Sequence, residues 1–470
     1  MRSAFSSLFA LCALAACSME PRYVRPELPV PANWPQGDAY LRPGEAVLPS
    51  YSWRDVFPDH RLQAVIGQAL ANNQDVARAL ANIEAARAQY RIQRAELLPV
   101  IGASASYRRA DAANANAGPG NGAGERDSFS VQGGISGYEL DLFGRLRSLA
   151  GANRNRYLAS EAAARATRLT LVSDVADAWL AYARDKSLLA IAEQTAAAAR
   201  DSVQLVQRRL DGGIVPRSDL RQAQIVLTTA EADIAEQRTA VAQDLNALEL
   251  LVGARVNPAN LAQSIEEAGA RLAEVPAGVD SSILLRRPDV VEAEWQLRAA
   301  NAEIGAARAA LFPRISLTGL LGFASDALGS LFTGGAFSWQ AGADASYSIF
   351  AGGAARANVD LTKAQRAAAL ADYRKAVQTA FADVANALAR RGTIDAQLKA
   401  ASQGQEAAAD NLRLAELRYR GGVDSYLENL TARQSLYTAQ RALTSTRYLR
   451  ATNLVALYRS LGGDAALAER

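Results

Sequence analysis

Few residues in this chain are arranged for bond-making chemistry. A single histidine, His60, and two cysteines, Cys12 and Cys17, leave no set for a His- or Cys-rich metal centre and no disulfide framework. No nucleophile elbow, phosphate loop or paired acids in a defined context occurs, so no enzyme activity, cofactor or metal is expected. The pairs Gly212-Gly213 and Gly421-Gly422 are not phosphate cradles, because they sit between helical runs with no strand before them. The one residue set for a reaction is Cys17, a thiol preceded by Leu14-Ala15-Ala16, and the chemistry would be acylation of its sulfur.

That tetrad resembles a bacterial lipobox, which would make Cys17 the lipidated, palmitate-bearing mature N-terminus. A plain signal peptide with a chance cysteine is the alternative. Arg2 is a short positive lead. Ala4 to Ala16 is then an apolar stretch of signal-peptide length, too short to span a bilayer. Cys12 would be removed with it. Ser18, not aspartate, follows the cysteine, which by resemblance to enterobacterial lipoproteins directs the chain to the outer membrane. Pro21, Pro26, Pro29, Pro31 and Pro35 then enforce extended backbone, as an arm from anchor to body or as a disordered tether.

The elements that follow must be read from composition and period. The 470 residues are 50% hydrophobic and 21% charged, too apolar for a disordered chain, and the length suggests about three domains. The net charge of +3, from 51 basic and 48 acidic residues, gives no basic stripe for nucleic acid. Only Lys186, Lys363, Lys375 and Lys399 are lysines, an arginine bias of genomic composition.

The chain is written twice. Asp75-Val76 leads to Pro99 as Asp289-Val290 leads to Pro313. Phe143-Gly144 matches Phe350-Ala351-Gly352. A long Ala-rich run then stops at Gly212-Gly213 and again at Gly421-Gly422, and a shorter run ends at Leu251-Val252-Gly253 and at Leu461-Gly462. The order is helix, two strands, long helix, shorter helix, twice. From Arg145 to Asp211 there is no proline and one glycine, Gly151, so this helix would be ~100 Å long. Val172, Val175, Trp179, Tyr182 and Leu189, and likewise Val377, Phe381, Val384 and Leu388, follow the 3-4 spacing of a coiled-coil seam.

The strands have period two. Phe337, Trp339, Ala341, Ala343, Ala345, Tyr347 and Ile349 alternate with Ser338, Gln340, Gly342, Asp344, Ser346 and Ser348. Phe129, Val131 and Ile135 alternate with Ser130, Gln132 and Ser136. Ile315, Leu317, Leu321 and Phe323 form the third set, and Pro99–Arg109 a weaker fourth. Asp111–Asp127 and Ser325–Gly335 read as exposed turns. With a lipobox upstream, these strands read as transmembrane barrel strands instead of a soluble sandwich or a surface hairpin. Phe337, Trp339, Tyr347 and Phe129 then face lipid, while Gln340 and Asp344 face the lumen. Open sheet edges cannot face lipid, and closed membrane barrels start at about eight strands, so four strands per chain require an oligomer.

The sequence is similar to the TolC-like outer-membrane efflux proteins of the OprM/NodT lipoprotein type. The resemblance rests on the lipobox and proline-rich arm, on Tyr138-Glu139-Leu140-Asp141-Leu142-Phe143-Gly144-Arg145 and on Leu284-Leu285-Arg286-Arg287-Pro288-Asp289-Val290. It rests also on Ala310-Leu311-Phe312-Pro313-Arg314-Ile315 and on Arg418-Tyr419-Arg420-Gly421-Gly422-Val423. It implies a homotrimer with a shared twelve-stranded outer-membrane β-barrel and a periplasmic helical barrel. It also implies a role as exit duct of a tripartite pump for drugs or toxic compounds, with a periplasmic adaptor protein and an inner-membrane RND transporter. An outer-membrane component for ABC-driven protein secretion and a channel-free coiled-coil scaffold are the alternatives.

The resemblance also implies a gate at the turns Asp211–Leu220 and Arg420–Leu430. Leu427 aligns with a ring that closes the tip, and Arg418 and Tyr419 with residues that tie neighbouring helices. Asp424 and Glu428 cluster nearby. Thr431 stands where the family often carries an aspartate, and Glu428 is the candidate substitute for a carboxylate ring. The glycines Gly212, Gly213, Gly421 and Gly422 read as helix C-caps, with Ser218 or Asp219 capping the next helix. Arg286-Arg287-Pro288-Asp289 reads as a helix start, and His60 as an ordinary residue. The expected organisation is a signal peptide (1–16), an anchor and arm (17–60), a first repeat (61–260), a connector (261–283), a second repeat (284–464) and a tail (465–470).

Overall fold

A computed structural model describes residues 18–35, 37, 39–40, 52–112, 124–272 and 281–463. The signal segment, Cys17 and the C-terminal tail lie outside the described residues. The helices are α1 (Trp53–Val56), α2 (His60–Asn72), α3 (Gln74–Ala95), α4 (Arg145–Asp211), α5 (Arg217–Val252), α6 (Ile265–Ala270), α7 (Pro288–Ala309), α8 (Ala354–Arg420) and α9 (Tyr426–Ser460). The strands are β1 (Ile101–Ala112), β2 (Gly124–Glu139), β3 (Arg314–Ser325) and β4 (Phe337–Ser346).

The written repeat is a structural repeat. Helices α4 and α8 each hold 67 residues, and α3 and α7 each hold 22. Alanine supplies helix propensity over these lengths, and the absence of proline lets them run unbroken. Helix α4 starts where the Asp141 carboxylate accepts from the backbone N–H groups of Leu146 and Arg147, at 3.1 and 2.9 Å. The coiled-coil seam is buried at Val172, Val175, Trp179 and Tyr182 on α4 and at Val377, Val384 and Leu388 on α8. Trp179 is wholly enclosed, and its indole donates to the Asn260 carbonyl at 2.9 Å. No described helix is long and apolar enough to cross a membrane.

Contacts sort the chain into two units. One comprises Met1–Pro26, Ile83–Ser160 and Ala293–Tyr373, and the other Glu27–Asn82, Glu161–Glu292 and Arg374–Arg470.

The first unit carries the sheet, antiparallel throughout in the order β1-β2-β3-β4. The register pairs Tyr107 with Phe129, Val131 with Phe323, Phe323 with Phe337 and Leu321 with Trp339. Because cross-strand partners share a face, one face is aromatic and aliphatic, while Ser106, Ser130, Gln132, Gln340 and Asp344 occupy the other. Glycine is obligatory at the β2–β3 seam. A Cβ at Gly322 would stand 2.1 Å from the Val131 carbonyl oxygen.

Two strand limits correct the sequence reading. Strand β4 stops at Ser346, so Tyr347 and Ile349 follow the strand instead of belonging to it. Ser346 pairs with Arg314, and the residue before Arg314 is Pro313, which has no N–H to extend the ladder. The turn expected over Asp111–Asp127 is shorter, because Asp111 pairs with Glu125 and Ala112 with Gly124. The turn at Ser325–Gly335 forms as expected, around a single 3-10 turn at Leu328–Ser330.

The arm is docked, which removes the disordered-tether alternative for its described part. It runs antiparallel to α7. Arg25 bonds Glu294, Tyr23 lies under the Arg298 guanidinium at 4.7 Å, and Asn301 donates to the Pro21 carbonyl at 2.7 Å. A Cβ on Gly305 would lie 2.8 Å from the Glu20 Cα, and Arg308 donates to the Met19 carbonyl at 3.4 Å. Glu294, Arg298, Asn301, Gly305 and Arg308 follow a 4-3-4-3 spacing, one face of the helix.

Candidate functional site: the paired helical turns

In the second unit, each long helix reverses into a shorter one through the same local geometry. After α4, the N–H of Gly213 bonds the Leu210 carbonyl and that of Ile214 the Arg209 carbonyl, both at 2.9 Å. After α8, Gly422 bonds Tyr419 at 3.1 Å and Val423 bonds Arg418 at 2.9 Å. Both are Schellman caps, which satisfy carbonyls left open at a helix end. Only the second glycine of each pair is left-handed, with φ +67° at Gly213 and +73° at Gly422. Gly212 and Gly421 are the preceding cap residues.

The next helices begin differently from one another. Helix α5 has Pro216 as its N-cap, with no side-chain cap, so Ser218 and Asp219 fall inside its first turn. The expected Ser218 or Asp219 cap is therefore displaced by Pro216, whose ring presets the extended entry. Helix α9 is capped by Ser425, whose Oγ accepts from the Glu428 backbone N–H at 3.4 Å. The Ser425-Tyr426-Leu427-Glu428 spacing is that of a capping box, of which the bond to the Ser425 Oγ is formed. Sequence reasoning missed this cap, and it puts Glu428 in the first turn of α9, where acidic residues are favoured.

The residues expected at the gate are brought together here. Arg418 grips Asp424 with two hydrogen bonds of 2.6 and 2.8 Å, closing its own turn. That bonding holds the Asp424 carboxyl below its usual range. Tyr419 is buried in a cluster with Val206, Leu220, Ala223 and Tyr426, so one ring joins α8 to α4, α5 and α9. The Arg209 guanidinium covers that ring at 4.6 Å. Leu427 is 55% exposed, and Thr431 below it donates to the Leu427 carbonyl at 2.9 Å. Farther along, Tyr437 of α9 donates to Asp233 of α5, and Arg441 bonds the same carboxylate at 3.3 Å. Burial, and then the Asp233 bond, push the Tyr437 hydroxyl up to about 12.

The barrel candidates lie in the other unit. Phe129, Phe337 and Trp339 share the apolar face of the sheet, and Trp339 is largely exposed. Tyr347 sits just past the end of β4, also exposed. Arg286 and Arg287 precede α7 as read, with Pro288 at its start. The sequence did not reveal that Arg287 is a buried hub, bonded to Asp289, Asp383 and the Ser460 carbonyl. His60 opens α2 and enters no site.

The repeated order of two strands, a long helix and a shorter helix has a counterpart among known sequences. The profile of the outer membrane efflux protein family matches residues 65–254 and 279–463. The chain belongs to the outer membrane efflux protein family. Among the relatives of this efflux protein is the "toluene efflux pump outer membrane protein TtgC" of Pseudomonas putida, 42% identical over 452 residues, which span 96% of this chain and 93% of that one. A membrane protein of Pseudomonas aeruginosa, known as a crystal structure, shares the fold with a TM-score of 0.88 and 38% identity. That match covers 95% of this chain and 98% of the other. The Neisseria gonorrhoeae MtrE outer-membrane channel, solved in its open state, matches at 0.85 and 35% identity over 95% and 98% of the two chains. The sequence expectation of a TolC-like efflux protein of the outer membrane holds.

Proposed function

We propose that three copies of this chain form a passive outer-membrane duct, the exit of a tripartite pump for antibiotics, solvents and other small toxic compounds. The observation that carries the reading is the sheet, which among the described residues has four strands, one aromatic face and an unpaired edge at each of β1 and β4. Such edges cannot remain open in lipid, and three copies close a twelve-stranded barrel wide enough to hold water. Phe129, Phe337 and Trp339 then meet lipid, with Tyr347 at the periplasmic rim. An inner-membrane RND transporter and a periplasmic adaptor supply the energy and the link, and the two repeats (61–260 and 284–464) each give one hairpin of strands and one of helices.

The turns at Gly212-Gly213 and Gly421-Gly422 form the gated tip. Leu427, exposed in the protomer, meets its two symmetry copies at the axis. The Tyr419 cluster and the Arg418–Asp424 pair hold the turns that present it. Asp424 is neutralised by Arg418 and Thr431 is uncharged, so Glu428, whose charge Arg418 also feels, is the candidate carboxylate of the ring. Cys17 carries the lipid anchor. The docked arm supports this, since it brings Met19 to Arg308, six residues before β3 begins at Arg314. Deleting the gene in its own host and measuring minimal inhibitory concentrations tests the function. Sensitivity to hydrophobic antibiotics should rise at least fourfold and be restored by the plasmid-borne gene, and unchanged tolerance to every compound would contradict the reading.

A further inference from the structure

About 50 Å along α4 from its tip end, a cleft of about 660 Å³ opens where α4, α8 and α9 meet. Asp177 of α4, Asp383 and Arg390 of α8, and Thr452, Asn453 and Arg459 of α9 line it. Two of these side chains hold acceptors without donors. Asn453 is 5% exposed, and its Nδ2 donates to the carbonyl of Ala387, itself a lining residue, at 3.0 Å. That bond fixes the amide plane and leaves the buried Oδ1 without a partner among the described residues. The Asp177 Oδ1 is likewise buried and without a donor. Buried acceptors of this kind are rare in folded proteins and call for a donor.

Of the other charges lining the cleft, those of Asp383 and Arg459 are already committed. Asp383 accepts from Arg287 at 3.3 Å, and Arg459 donates to Asp174 at 3.1 Å. Arg390 is exposed at the α8 rim. Burial, followed by the neighbouring Asp174 carboxylate, pushes the Asp177 carboxyl up to about 7, with Arg459 opposing only part of the effect. Tyr448 of α9 also feels the Asp177 charge. Asp177 is therefore a carboxylate short of positive charge, and it lines the same cleft as an amide oxygen short of a hydrogen. No group of three His, Cys, Asp or Glu side chains that could hold a metal ion occurs among the described residues. The volume is that of a small-molecule site.

We infer that this cleft binds a small organic cation through a primary ammonium group. The ammonium carries three N–H donors and one positive charge, so it satisfies both acceptors and compensates Asp177 at once. A quaternary ammonium has the charge without the donors. Binding requires the ionised carboxylate, so it weakens as pH falls through about 7.

Calorimetric titration of the full-length protein in detergent with putrescine tests this, with tetramethylammonium and potassium chloride as comparison ligands. Putrescine should bind saturably at pH 8 and about tenfold more weakly at pH 6, following the ionised fraction of Asp177. Asp177→Asn keeps the side-chain shape and should weaken binding at least tenfold, as should Asn453→Leu. The distant Asp360→Asn should change nothing. Melting temperature and oligomeric state checked in parallel identify a misfolded variant, and Asp177→Asn decides if Asn453→Leu does not assemble. No saturable binding of putrescine at pH 8 would overturn the inference and assign the two acceptors to water. Equal affinity in Asp177→Asn, or equal binding of tetramethylammonium, would overturn it as well.

Discussion

Arg25 and Glu294 lie 269 residues apart in sequence and share two hydrogen bonds, of 3.1 and 2.9 Å. Glu294 is nearly enclosed and is also held by Arg298 at 2.7 Å, so a single carboxylate pins the arm to α7. Burial raises its pKa, but the bonds from Arg25 and Arg298 outweigh burial and hold it below the usual range. A lowered carboxylate stabilises the docked state above its unfolded value of 4.5 and loses that effect as pH falls through the lower folded value. Glu294→Ala should loosen the arm by ~1–3 kcal/mol. Hydrogen exchange should show faster exchange of the backbone around Tyr23 and Arg25 at pH 7, with α4 unchanged.

The face assignment of the sheet is open to a matched pair of substitutions. Gln340→Arg places a cation on the polar face, and Ala341→Arg, one residue on, places it on the aromatic face. The second should cost ~2–4 kcal/mol near the bilayer midplane and the first should be mild. Heat-modifiable mobility on gels and urea unfolding in liposomes report the difference. Equal costs would mean the register is slipped by one residue, which exchanges the faces.

Asp177 gives a pH signature in stability. Its folded pKa, about 7, lies above the ordinary 3.8, so the folded state is favoured at low pH and loses that advantage as pH rises through about 7. Asp177→Asn removes the ionised form and should stabilise the protein by ~1–3 kcal/mol at pH 8 and by little at pH 4. Differential scanning fluorimetry at the two pH values, without amines in the buffer, measures it.

Tyr419 separates packing from hydrogen bonding at the tip. Its hydroxyl is buried without a partner among the described residues, while its ring fills the cluster between the two helical hairpins. Tyr419→Phe should therefore leave the helical hairpins within about 0.5 kcal/mol of the original stability, and Tyr419→Ala should cost ~3–4 kcal/mol locally. Proteolytic cleavage at the turns should be rapid in the alanine variant alone.

Much of this architecture could be read from residue spacing, because it is local. The limits of α4 follow from the last glycine before it and the first pair after it, and the two Schellman turns follow from Gly-Gly alone. Alternation at Phe337–Ser346 located β4, but not its end, since Pro313 on another strand decides where pairing stops. Ser218 read as a cap because serine is a good one, yet Pro216 enters the helix first. The stripe from Glu294 to Arg308 was invisible, since its partner is an arm without periodicity nearly 300 residues away. The Tyr419 cluster and the Asp177 cleft are hidden for the same reason, because each joins side chains from three or four helices. The candidate gate residues could be named only by resemblance, and the Ser425 cap shows that part of their pattern serves the helix start.

The central claim is a closed duct with its constriction at Leu427. Single-channel conductance of the purified protein in planar bilayers tests it most directly, comparing the original chain with Leu427→Ala and Arg418→Ser. The account predicts a small conductance for the original chain, a severalfold rise in Leu427→Ala, and a smaller rise when Arg418→Ser releases Asp424. Intact oligomers with identical conductance in all three, or with no conductance in any, would contradict it.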